Sequence, residues 1–91
     1  MLKGTTPSGF KFKIDEDIRD DMELLEAITQ IDSGDVTEMP NLLRILLGEE
    51  QKSKLYEHCR NDKGRVSATK VSEEIKAIFE EIEKGDSKTK N

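Results

Sequence analysis

Hydrophobic and polar positions along this chain change period after the first strand, and the change separates a β element from helices. Phe10-Lys11-Phe12-Lys13-Ile14 alternates without a break, the period of a half-buried strand with both phenyl rings and Ile14 on one face. One strand cannot satisfy its own backbone groups. Leu2–Thr5 is the local partner, returning through Thr6-Pro7-Ser8-Gly9, where Pro presets a turn dihedral and Gly accepts a positive φ. Pairing with the same strand of another subunit is the rival arrangement.

From Asp17 the period lengthens. Ile18, Met22, Leu24, Leu25, Ile28 and Ile31 fall on about half a helix circumference at ~100° per residue, which predicts a helix over 17–32. Ser33-Gly34-Asp35 stops it, Gly34 suiting a left-handed cap. Leu42-Leu43-Arg44-Ile45-Leu46-Leu47 carries five large aliphatics in six positions, so a helix built from it is buried nearly all round and forms the centre of the domain. Asp35 or Thr37 can cap this helix, Pro40 fits only in its first turn, and Gly48 ends it. A third helix is expected over 49–60, burying Leu55, Tyr56 and Cys59. A fourth is expected over 68–84 from a Ser67 cap, with Val71, Ile75, Ile78, Phe79 and Ile82 on a narrow stripe of ~100°.

The expected fold is therefore mainly α with a small N-terminal β element (α+β): about four helices around a central buried helix, with a strand or hairpin over 1–14 packed on them. Residues 1–84 form a single globular domain, 17–84 of it helical. Residues 85–91 contain no apolar side chain and are expected as a disordered polar tail.

Composition supports a thin core. Leu, Ile, Val and Phe make up 22 of the 91 residues, while 38% of the chain is charged and Trp is absent. Such a domain folds with little in reserve. Charge is segregated as well. Residues 15–38 hold ten acids against Arg19 alone, a local net of −9, whereas residues 52–70 carry a local net of +4. An overall net of −5 opposes phosphate backbones, so nucleic-acid binding would fall to the basic segment alone. Cys59 is the only cysteine and no segment approaches ~18 consecutive apolar residues, so a reducing interior and no membrane partner are expected.

Candidate chemistry fails on its own geometry. Aligning Gly64 with the sixth position of a calcium loop places Cys59 first and Lys70 twelfth, where carboxylates are required. Aligning Gly34 instead gives Thr29 and Pro40. The helices meeting at Gly48 suggest a helix-turn-helix, but Glu49, Lys54 and Glu57 sit where the second helix needs apolar support, and Glu49-Glu50 would lead it into the DNA's negative field. His58 and Cys59 diverge by ~100° on a helix and cannot act as a dyad. One His and one Cys make no zinc site. No catalytic, metal or cofactor residues are assigned, and the chain is not expected to be an enzyme.

Four fragments occur in an order that carries a resemblance: Ser8-Gly9-Phe10-Lys11-Phe12-Lys13-Ile14-Asp15, Asp20-Asp21-Met22-Glu23-Leu24-Leu25-Glu26, Leu46-Leu47-Gly48-Glu49-Glu50-Gln51 and Asp62-Lys63-Gly64-Arg65-Val66. Over about residues 8–82 the chain resembles the small tail assembly chaperones of long-tailed (siphovirus-type) bacteriophages and prophages. The resemblance implies a non-enzymatic protein that binds the helical tape measure protein in the bacterial cytoplasm, with the tail tube protein as a further partner, and that leaves before the virion is finished. Self-association to a homo-oligomer is a further expectation. Charge segregation and the strand together nominate Glu23, Glu26, Phe10 and Phe12 as protein-binding residues. A structural tail or connector component of the virion, or a small DNA-binding regulator acting through residues 52–70, is the alternative.

Overall fold

The computed structural model describes residues 1–89, with side chains described through Glu83. Strands β1 (Leu2–Thr5) and β2 (Lys11–Ile14) pair antiparallel within the chain, Leu2 opposite Ile14 and Gly4 opposite Phe12. The turn is a three-residue loop: the Thr6 carbonyl accepts from Gly9 N–H at 2.9 Å, and Thr6 N–H donates to Phe10 O at 2.9 Å. Gly9 takes φ +97°, a left-handed value that favours glycine. Gly4 is required for a different reason. A Cβ there would lie 2.6 Å from Phe12 Cζ, so the ring packs over bare backbone.

A 3-10 turn over Glu16–Asp20 leads to α1 (Met22–Asp32). The single helix expected from residue 17 is thus divided. Asp21 is the reason: its backbone is extended, and its Oδ1 accepts from Glu23 N–H at 2.8 Å and Leu24 N–H at 3.2 Å, so it caps a helix that starts after it. Buried α1 residues are Leu24 and Ala27, with Ile28 and Ile31 half-buried. The expected apolar arc is only partly used, for Met22 is 67% exposed and Leu25 47%.

Helix α2 (Met39–His58) carries Pro40 in its first turn, as expected. Traced as one element, it leaves three α-helices among the described residues where about four were expected, although the boundary expected at Gly48 is present as a break between the helical runs 39–47 and 49–58. Gly48, at φ +81° and ψ 164°, breaks the helical path inside it. Leu42, Leu43, Leu46 and Leu47 are buried and Ile45 half-buried, while Arg44 points outward and donates to Asn41 Oδ1 at 2.6 Å. Helix α3 (Ala68–Thr89) is capped by Ser67, whose Oγ accepts from Lys70 N–H at 3.2 Å. Of the segment expected as a polar tail, residues 85–89 continue this helix, and 90 and 91 lie outside the described residues.

One cluster joins these elements: Phe10, Phe12 and Ile14 from the hairpin, Leu24 and Ala27 from α1, the four leucines and Leu55 from α2, and Val71, Ile75, Ile78 and Ile82 from α3. No helix among the described residues is long and apolar enough to cross a membrane.

Candidate interaction surfaces

Glu23 and Glu26 lie on the exposed side of α1. With Gln30, Glu38 and Asn41 they line a shallow cleft of about 250 Å³ where α1 meets the start of α2. Asn41 Nδ2 donates to Glu38 Oε1 at 3.1 Å, which fixes the rim of that cleft. Met22 and Leu25 stand beside these acids, because at ~100° per residue positions 22, 25 and 26 share one outward arc. The result is a solvent-facing helix surface that combines two large apolar side chains with carboxylates.

Phe10 and Phe12 occupy a different place from the one expected. They are 5% and 2% exposed, so they belong to the core and no partner reaches them while the hairpin is folded. Expecting them on a contact surface followed from leaving open whether the strand pairs within the chain or with another subunit. Leu2–Thr5 supplies the partner, and the pleat then turns both rings inward. Phe10 is also shielded by the His58 ring, with centroids 5.5 Å apart.

A polar cluster sits at the same end of the molecule. Glu74, only 7% exposed, accepts from Thr6 Oγ1 at 2.7 Å and from Ser8 Oγ at 2.8 Å. Ser8 Oγ lies 2.9 Å from His58 Nε2. A serine, a histidine and a glutamate in contact invite comparison with a hydrolytic triad, but the connections are reversed. Ser8 gives its single proton to Glu74, so His58 must donate through Nε2–H and cannot act as base toward Ser8. The cluster fastens the hairpin turn to the ends of α2 and α3. Sequence reasoning missed it, although a signal existed: Glu74 lies three residues after Val71 and four before Ile78, at the margin of the apolar stripe.

Between the hairpin and the Gly48 break runs an open groove of about 1060 Å³. Gln51 closes one side of it. Its Oε1 accepts from Lys13 N–H at 2.7 Å, while Nε2 donates to Lys13 O at 2.7 Å and Leu47 O at 2.8 Å. The carboxamide therefore meets both main-chain groups of Lys13 as a neighbouring strand residue would, and satisfies a carbonyl next to the helix break.

In the basic segment, Lys52 pairs with Glu49 at 3.7 Å, Lys54 with Glu50 at 3.5 Å and Arg60 with Glu57 at 2.6 Å, so half of its six bases are already engaged. The loop at 61–65 is closed by Asn61 Oδ1, which accepts from Lys63 N–H at 2.9 Å and Arg65 N–H at 3.0 Å. Its side chain thus serves backbone donors, as in an Asx turn. Cys59 is buried, and desolvation, with Glu74 nearby, pushes its thiol above the usual range. A protonated, enclosed thiol is a poor nucleophile. Among the described residues no group of three His, Cys, Asp or Glu side chains could hold a metal ion.

Comparison with protein-family models, with curated proteins and with solved structures returned no match to this chain.

Proposed function

We propose that this chain is a non-enzymatic tail assembly chaperone of a long-tailed phage or prophage, binding the tape measure protein through the outer face of α1. The observation that carries the reading is that face itself. Met22 and Leu25 stay exposed on a helix whose surroundings hold a local net charge of −9. An apolar strip framed by carboxylates suits a helical client with its own apolar stripe and flanking lysines or arginines. The four fragments behind the resemblance fall on separate local features of this chain. They form the hairpin turn with β2, the Asp21 cap of α1, the Gly48 break with its Gln51 clamp, and the Asn61 loop.

Glu23 and Glu26 remain the proposed contact residues, joined by Met22 and Leu25; Phe10 and Phe12 act through the core. The client is met in the bacterial cytoplasm, and the chaperone departs before the tail is complete. Co-expression with the tape measure protein encoded nearby tests the reading. The expected result is a soluble complex in the cytosol and no trace of this chain in purified particles. Recovery of the chain at fixed stoichiometry in particles would instead make it a structural tail component.

A further inference from the structure

The two edges of the hairpin are treated differently. On β2, the outward-facing N–H and C=O of Lys13 are both taken by Gln51. On β1, the pairing register makes Lys3 the partner of Lys13 and Thr5 the partner of Lys11. In an antiparallel ladder, residues opposite each other either exchange both hydrogen bonds or direct both away from the pair. The Gln51 contacts show that Lys13 directs its groups away, so Lys3 does too, and by alternation so does Thr5. Thr6 and Phe10 bond across the ladder at the turn, which confirms the phase. The main-chain groups of Lys3 and Thr5 have no hydrogen-bond partner among the described residues, and both residues are exposed.

Charged side chains on the outward face of the hairpin carry one sign of charge. Lys3, Lys11 and Lys13 share the outward face of the hairpin, and none of them forms an ion pair among the described residues. Lys3 and Lys13 are directly opposed, an arrangement that destabilises an isolated ladder. On the inward side, Leu2 is half-buried, Gly4 lies under the Phe12 ring, and α3 packs against β1. A strand laid along β1 would therefore find four backbone groups to bond, positive charge on one face and the half-buried Leu2 on the other.

We infer that the free edge of β1 is a strand-addition site for an extended segment that alternates carboxylates with apolar residues. The acids would lie beside Lys3 and Lys13, and the apolar side chains would meet Leu2 on the inward side. This surface is separate from the acidic face of α1 and calls for the opposite charge in its partner, so it does not depend on the tape measure reading.

Amide hydrogen exchange read residue by residue by NMR tests it, using the intact chain and two synthetic peptides, one alternating Glu with Val and one alternating Lys with Val. The expected result is exchange slowed at least ~10-fold at Lys3 and Thr5 by the Glu peptide alone. The triple variant Lys3→Glu, Lys11→Glu, Lys13→Glu alters only exposed positions and should reverse the preference toward the Lys peptide. Thr5→Pro removes an outward donor at a site where an edge strand tolerates proline, and should abolish protection by either peptide. Three outcomes overturn the inference: no slowing with the Glu peptide, equal slowing by both peptides, or protection that grows with protein concentration without peptide. The last would assign the edge to a second copy of the chain.

Discussion

Helices α1 and α3 are both amphipathic and both rich in acids, yet they use their apolar residues in opposite ways. On α3 the apolar stripe is narrow, and burial extends past it to take in Ala77 and the carboxyl group of Glu74. On α1 the apolar arc is broad, and burial stops short of it, leaving Met22 and Leu25 in solvent. The difference lies in the neighbours. Helix α3 is packed by β1 and by α2, whereas α1 has α2 and the short turn over Val36–Glu38. A helix can bury only the arc its neighbours cover, however wide its apolar surface. On α3 the covered margin beside the stripe holds a hydrogen-bonded glutamate. Apolar surface on α1 beyond the arc its neighbours cover stays in solvent.

Substitutions can break this contrast in graded steps. Ile78→Ala removes a fully buried side chain of α3 and should cost about 2–5 kcal/mol, read as a drop in the thermal midpoint of more than ~10 °C. Glu74→Ala leaves the Thr6 and Ser8 hydroxyls without their acceptor and should cost about 1–3 kcal/mol in urea unfolding. On α1, Asp21→Ala loses only the cap and should cost about 1 kcal/mol by the same measurement. Leu25→Ser should fall within ~0.5 kcal/mol of the parent, since its side chain already meets water. A large loss for Leu25→Ser would mean that α1 is covered as α3 is.

Alkaline pH probes the core between these helices through Cys59. Its thiol is held protonated in the fold by desolvation, with Glu74 adding to the effect and Lys70 opposing it. With the folded value above the unfolded one, stability is at its full level below the ordinary thiol range. It then falls as pH rises through that range toward the folded value, because only the unfolded chain ionises freely. Replacing Cys59 with Ala should lower overall stability but remove this alkaline decline, as followed by urea unfolding across pH. A decline that persists unchanged in the variant would show that the thiol is not its source.

The hairpin and α3 were legible in the chain because each is specified by short-range patterns. Period-two alternation with Pro7 and Gly9 fixes β2 and its turn, and a stripe at helical spacing fixes α3. Gly48 was legible as the point where the helix is interrupted, and the helical path breaks there; the Gln51 clamp on Lys13, a partner 38 residues away, was not legible. The phase of α1 was misjudged because Met22 and Leu25 are as apolar as the residues that are buried, and nothing local says which side the neighbour covers. Glu74, Ser8 and His58 were invisible as a group for a similar reason. Their contacts span 50 and 66 residues, and each residue alone reads as solvated. Surfaces left open by packing are the least legible of all, since they are defined by what does not cover them.

The most direct test compares the outward faces of the two helices in the presence of client. The chain carrying Met22→Ser, Leu25→Ser, Glu23→Lys and Glu26→Lys, and a second chain carrying Glu73→Lys and Glu80→Lys on α3, are each co-expressed with the tape measure protein. All six positions are exposed, so both chains should keep the parent's circular dichroism. The account predicts that the α1 variant loses co-purification of the client while the α3 variant retains it. Client recovered undiminished with the folded α1 variant would contradict the proposal that this acidic, partly apolar face is where the protein works.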